Sequence, residues 1–197
     1  MKLTRLSLIA ALGLALAGCS QAPTADVDAA KHAMEEARQA QAPEYAPQAW
    51  TAAQDADAKL QAELDAQQKR WAPLRSYTVA KQLAADEKSA AERSMSEAAT
   101  AKETMKTEVS TLMAQARDEA AKAHAAVDTA PKGKGTEADL ASMKTDATSI
   151  DDTLTQMQTA FDAGNYIDAK TKAQAAIDAA KRIQGEVEAA KAGRRAA

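Results

Sequence analysis

Residues 74–130 read LRSYTVAKQLAADEKSAAERSMSEAATAKETMKTEVSTLMAQARDEAAKAHAAVDTA, a stretch of 57 residues with neither glycine nor proline. Helix interiors tolerate both residues poorly, so the stretch predicts one uninterrupted helix from Leu74 to Ala130. At 1.5 Å per residue such a helix spans roughly 85 Å. The rest of the chain reads as shorter helices folded back along this rod. The expected fold is therefore all-α: an elongated antiparallel helical bundle of coiled-coil hairpins around one very long central helix.

Within the stretch, a spacing of three and four picks out Tyr77, Ala80, Ala84, Ala91, Met95, Ala98, Met105, Val109, Leu112, Ala116, Ala123 and Val127. Lys88 and Lys102 interrupt that stripe, but a lysine can lay its stem along a seam and keep its ammonium in water. Apolar content rises after Met95, which predicts a separate partner for the distal half.

Composition sets the core. Of 197 residues, 53 are alanine, and Leu, Ile, Val and Phe together number only 24. So few large apolar residues warn of disorder chiefly when net charge is high, and here it is −3. Alanine is also the best helix former, so helix with a thin core is expected, without a deep interior pocket. A core this thin is one that a second copy of the chain would help to complete, so a homo-oligomer is compatible with it.

Downstream, Ala130-Pro131-Lys132-Gly133-Lys134-Gly135 reads as a linker. It is not a phosphate loop, because Asp128 stands where that motif needs glycine and Gly135 where it needs Ser or Thr. Thr136 and Asp139 suit a capping box for the next helix. That helix has the cleanest seam in the chain: Leu140, Met143, Ala147, Ile150, Leu154, Met157, Phe161. Ala163-Gly164-Asn165 forms a turn, with Gly164 free to take a positive φ and Asn165 able to cap. The last helix answers with Tyr166, Ala169, Ala173, Ala176, Ala180, Ile183, Val187 and Ala190, so large residues meet alanines in an antiparallel hairpin. Asp118–Lys122, Asp168–Lys172 and Asp178–Arg182 stand at i,i+4 in the favourable order.

Upstream, a first helix is expected over 26–41, stopped by Pro43, and a second over 47–71, opened by Pro47. The inward positions of the second would be Trp50, Ala53, Asp57, Leu60, Leu64, Gln67 and Trp71, a stripe weakened by Asp57 and Gln67. Trp71-Ala72-Pro73 then leads into the long helix. Tyr77-Thr-Val-Ala80-Lys81 echoes Tyr166-Ile-Asp-Ala169-Lys170, each after a turn that follows an aromatic residue. This is not a 34-residue tetratricopeptide period.

The first residues read as a targeting segment. Lys2 and Arg5 precede an apolar run of 11 residues from Leu6 to Leu16, too short for a bilayer whose hydrocarbon needs about 20 residues. The run ends in Leu16-Ala17-Gly18-Cys19, which resembles the lipobox of bacterial lipoprotein signal peptides. The resemblance implies cleavage before Cys19, a diacylglycerol thioether on its sulfur, and acylation of the new amine. The competing reading is an ordinary secretory peptide with an incidental cysteine. Cys19 is the only cysteine, so no disulfide can form within one chain. Several acyl chains anchor stably where one binds marginally. Ser20, in place of aspartate, implies sorting to the outer membrane. Cleavage also removes Lys2 and Arg5, two positive charges fewer than in the −3 chain, leaving −5, an acidic balance that argues against nucleic acid as partner.

The expected organisation is a signal peptide (1–18), a lipidated cysteine and tether (19–25), a three-helix region (26–130), a linker (131–135), a helical hairpin (136–192) and a basic tail (193–197). That tail, with Arg194 and Arg195, suits the negative end of a helix. A contact for anionic polymer or lipid is the sharper alternative. Residues 25–99 also resemble an uncharacterised domain family of alanine-rich envelope lipoproteins, through Tyr45-Ala46-Pro47 and the later Tyr77. Arg75-Ser76 departs from the glycine turn common there. The resemblance implies location and not chemistry.

No catalytic constellation emerges. His32 and His124 fall on different helices without the clustered ligands that zinc requires, so no metal or cofactor is expected. There is no Gly-x-Ser-x-Gly turn. Glu35-Glu36, Asp86-Glu87 and Asp151-Asp152 are adjacent pairs that diverge by about 100° on a helix, and they read as solvated faces. The two tryptophans and three tyrosines read as packing at hairpin ends rather than a ligand platform. The favoured function is thus a non-enzymatic outer-membrane lipoprotein acting as a periplasmic spacer or scaffold. A terminal Ala196-Ala197 offers no lysine for joining peptidoglycan covalently. The rival is a helical adaptor, an accessory subunit that binds a protein partner of an envelope transport or wall-synthesis machine. An enzyme stands last.

Overall fold

The computed structural model describes the backbone of residues 21–131 and 137–196. The lipobox, Cys19, Ser20, linker residues 132–135 and the Thr136 cap lie outside the described residues, as do the side chains of Arg194 and Arg195. Among the described residues all regular structure is helical: α1 (Thr24–Gln39), α2 (Ala42–Tyr45), α3 (Pro47–Gln68), α4 (Thr78–Asp128), α5 (Glu137–Asp162) and α6 (Tyr166–Ala196). The long helix exists, with 51 residues. The chain divides into two units at 101/102, so α4 contributes its first half to one and its second half to the other.

In the first unit, Val27 and Ala30 of α1, Leu60 of α3, Tyr77 just before α4, and Ala80 and Ala84 of α4 form one buried cluster. Leu60 is the only large aliphatic residue fully enclosed there. Burying a side chain of that size contributes about 1.5–3 kcal/mol, whereas an alanine hides only a methyl. The seam that runs from Tyr77 into α4 continues through Ala80, Ala84, Glu87, Ala91, Ser94 and Ala98, spaced 3-4-3-4-3-4 and buried throughout.

The second unit has the fuller core. Val109, Met113, Ala116, Ala120, Ala123 and Val127 of α4 pack with Ala147, Ile150 and Met157 of α5 and with Ala169, Ala173, Ala176, Ile177, Ala180 and Ile183 of α6. Polar cross-links fix the register. His124 Nε2 lies 3.0 Å from Asp151 Oδ1, and Arg117 bonds Gln158, so α4 and α5 run antiparallel. Lys170 Nζ reaches Glu108 Oε1 at 2.6 Å and Gln184 Nε2 reaches Glu119 Oε2 at 3.0 Å, so α6 runs parallel to α4. Arg182–Asp146 at 3.4 Å completes the set between α6 and α5. The α5–α6 turn closes as expected: Gly164 has φ +74°, its N–H donates to Phe161 O at 2.9 Å, and Asn165 N–H donates to Ala160 O at 2.9 Å. That 6→1 and 5→2 pair is a Schellman motif. Asn165 Oδ1 then accepts from Asp168 N–H at 3.1 Å, capping α6.

Several expectations need correction. The long helix begins at Thr78, not Leu74, because Pro73 sits in a 3₁₀ turn over Ala72–Leu74 and Arg75 continues in extended backbone. It ends at Asp128, short of Ala130. The first helix spans 24–39, so it begins inside the expected tether and ends before Pro43. Gln41 with φ +62° breaks it, and Pro43 lies within the one-turn helix α2. The second helix stops at Gln68, because Arg75 donates through Nε to Arg70 O at 3.0 Å and through Nη2 to Gln68 O at 2.9 Å, closing the helix end. Trp71 therefore lies outside the helix and is exposed, as is Ala190 of the predicted α6 seam. Asp178 accepts from Gln174, while Arg182 pairs with Asp146 and Glu186 instead. The pairs Asp118–Lys122 and Asp168–Lys172 are present at 2.7 and 3.6 Å.

Two substitutions test this packing. Ala180→Leu, at a fully buried seam position, is expected to destabilise by about 1–3 kcal/mol through overpacking. Ala175→Leu, on the exposed face of the same helix, is expected to stay within ~0.5 kcal/mol. Urea melts of both variants check the contrast. Gly164→Ala is expected to cost about 1 kcal/mol at its positive φ.

Candidate functional site

The first unit carries a cleft of about 460 Å³, lined by Lys31, Met34, Glu35 and Arg38 of α1, Trp50, Asp57 and Gln61 of α3, and Glu87 of α4. The spacing on α1 places its four residues on one helical face, and the spacing of seven and four on α3 does the same. Glu87 arrives from the buried seam of α4, where alanine occupies most of the equivalent positions.

Most charges in the cleft are already satisfied. Arg38 grips Glu35 in a two-pronged bond, Nε at 2.9 Å and Nη2 at 2.8 Å, and Gln39 Nε2 adds a third donor at 3.1 Å. These donors hold the Glu35 carboxyl down at about 2. Asp57 Oδ1 accepts from Gln61 Nε2 at 3.1 Å. Glu87 differs: it is fully buried and neither carboxylate oxygen has a hydrogen-bond partner. Burial pushes its pKa up to about 7, the negative charge of Asp57 pushes the same way, and Lys31 opposes both. Near neutral pH the group therefore holds its proton part of the time. With no histidine, serine or cysteine in its lining, the cleft offers a proton store and a polar surface rather than an activated nucleophile.

The residues singled out from sequence are scattered. Cys19 and the lipobox residues Leu16, Ala17 and Gly18 lie outside the described residues. His32 is exposed beside Glu36 at 3.4 Å, and His124 ties α4 to α5 through Asp151. Among the described residues no group of three or more His, Cys, Asp or Glu could hold a metal ion. The pair Asp86-Glu87 is not a solvated face: Asp86 is exposed and accepts from Gln82 at 2.8 Å, while Glu87 turns inward. Continuing the three-four spacing from Tyr77, Ala80 and Ala84 lands on Glu87 before Ala91, so the signal was present in the period. Tyr45, Tyr77 and Tyr166 are buried at helix starts and turns, Trp50 borders the cleft, and Trp71 is exposed rather than packed. No protein-family model matches the chain, and no curated protein or solved structure matches it either.

The raised Glu87 pKa has a defined sign. The native state binds a proton more tightly than the unfolded chain does, so this stabilisation is complete below pH ~4.5 and fades as pH rises through about 7. The gap corresponds to ~3 kcal/mol at full strength. Relaxation of the surroundings around the ionised carboxylate offsets part of it, leaving an expected loss of about 1–2 kcal/mol. Urea unfolding between about pH 5 and pH 8.5 should show that loss in the natural chain, and Glu87→Gln should flatten it.

Proposed function

We propose that the protein is a non-enzymatic helical scaffold of the bacterial envelope, tethered to the outer membrane by acyl chains on Cys19 and facing the periplasm. The sequence Leu16-Ala17-Gly18-Cys19, set behind a basic start and an 11-residue apolar run, carries this reading. Its resemblance to lipoprotein signal peptides supplies both the anchor and the compartment. Among the described residues no helix is long and apolar enough to cross a membrane.

The architecture supports a mechanical role. At 1.5 Å per residue, the 51 residues of α4 extend about 76 Å. This one helix contributes residues to the buried core of each of the two units. A chain that spends its few large apolar residues on holding a long helix in place suits spacing or scaffolding better than enclosing a substrate.

Growth with labelled palmitate tests the anchor: label is expected in the natural chain and absent from Cys19→Ser, and an unlabelled natural chain overturns the proposal. Affinity capture from solubilised membranes separates spacer from adaptor. One protein recovered in equal amount would favour an adaptor for a transport or wall-synthesis machine over a free-standing spacer.

A further inference from the structure

The connection between α3 and α4 exposes the largest apolar side chains on the described surface: Trp71 is 73% exposed, Leu74 67%, and Val79, in the first turn of α4, 55%. This is an ordered projection. Leu74 N–H donates to Trp71 O at 2.8 Å and Arg75 N–H to Ala72 O at 3.2 Å. On its far side Arg75 clamps the carbonyls of Gln68 and Arg70, and Ser76 N–H donates to Gln67 Oε1 at 3.0 Å. Gln67 is itself buried. The backbone is thus pinned on both flanks, while most of its tryptophan and leucine surface faces water.

The same end of the unit receives the chain from the anchor. A hollow lined by Gln21, Ala22, Pro23, Thr24, Ala25 and Asp26 of the entering chain is closed by Lys81, in the first turns of α4. Pro23 is buried and α1 begins at Thr24, so three residues separate Cys19 from the packed chain, fewer than the expected tether of 19–25. Four residue steps, from 19 to 23, reach at most ~14 Å. The headgroup layer on one side of a bilayer is about 5–8 Å deep, so a lipidated Cys19 would hold this end at the membrane surface. Lys69 and Arg70, both exposed, immediately precede Trp71.

We propose that Trp71 and Leu74 insert into the interfacial layer of the bilayer that carries the Cys19 anchor, with Lys69, Arg70 and Lys81 beside anionic headgroups. The inference rests on the anchored reading above. Tryptophan favours the headgroup level because one end of its ring is apolar and the other is wet. Asp26 and Asp28 sit at the same end and offset part of the basic charge, so the apolar pair carries the contact and the cations add to it. Two points of attachment, acyl chains and loop, fix the tilt of the first unit where a tether alone would leave it free.

The test uses the full mature chain purified from membranes, with intact mass reporting the lipid on Cys19. It is reconstituted into phosphatidylethanolamine–phosphatidylglycerol vesicles, plain or with brominated acyl chains. With Trp50→Phe, Trp71 is the sole tryptophan, excited selectively at its red edge. Its emission is expected to shift to the blue and to fall about two-fold or more in brominated vesicles. In a second variant, Trp71→Phe, the remaining Trp50 should show no such fall. Lipid on Cys19 with Trp71 equally bright in both vesicles overturns the insertion alone. Absence of lipid overturns the anchor, and with it this inference.

Discussion

Everything in this fold depends on helices that approach through alanine. A methyl group lets two helix axes come close, and it gives each contact little energy, so stability accumulates over length rather than over bulk. The second unit softens this constraint by setting Ile150 and Met157 of α5 among Ala169, Ala173, Ala176 and Ala180 of α6, large against small. Ile177 shows why α6 needs more than one stripe: sandwiched between α4 and α5, it buries adjacent positions 176 and 177.

The first unit obeys the same rule with fewer resources. Its seam on α4 admits Glu87 and Ser94 among the alanines. Ser94 resolves its hydroxyl locally by donating to Ala91 O at 2.8 Å, as helix serines do when no other acceptor is near. Glu87 has no comparable escape, and its raised proton affinity is the result. A buried carboxyl without a partner is costly in a thin core, because there is little else to offset it. Glu87 lines the wall of a polar cleft, with both of its oxygens out of reach of solvent.

Much of this was legible in the sequence, and the reasons are specific. Long runs without glycine or proline revealed α4. The unbroken three-four spacing from Leu140 to Phe161 and from Tyr166 to Val187 revealed the hairpin, and Gly164-Asn165 revealed its turn. Helix ends were less visible, because they are set by contacts across the chain. Arg75 closes the end of α3 from five and seven residues away, and no local pattern around Gln68 announces it. Pro73 looked like a helix start, but four further residues precede Thr78, with Ser76 N–H held by Gln67 Oε1 outside the helix. Glu87 was hidden by chemistry rather than by period: a charged residue in a seam reads as an interruption, and the charges at Glu87 and Lys88 are adjacent. The cleft itself joins three segments that the sequence keeps apart, so its geometry was beyond any linear reading.

The alanine seams also set how the molecule answers to temperature. The heat-capacity change of unfolding grows with newly wetted hydrocarbon and shrinks with newly wetted peptide, by about +0.45 and −0.26 cal/K/mol per Å². A chain that conceals methyls and long tracts of helical backbone shifts that balance away from hydrocarbon. Its stability curve is accordingly flatter than the ordinary dome, with a broad calorimetric transition and a cold limb displaced to lower temperature. Warmth and chill both erode such a fold gradually.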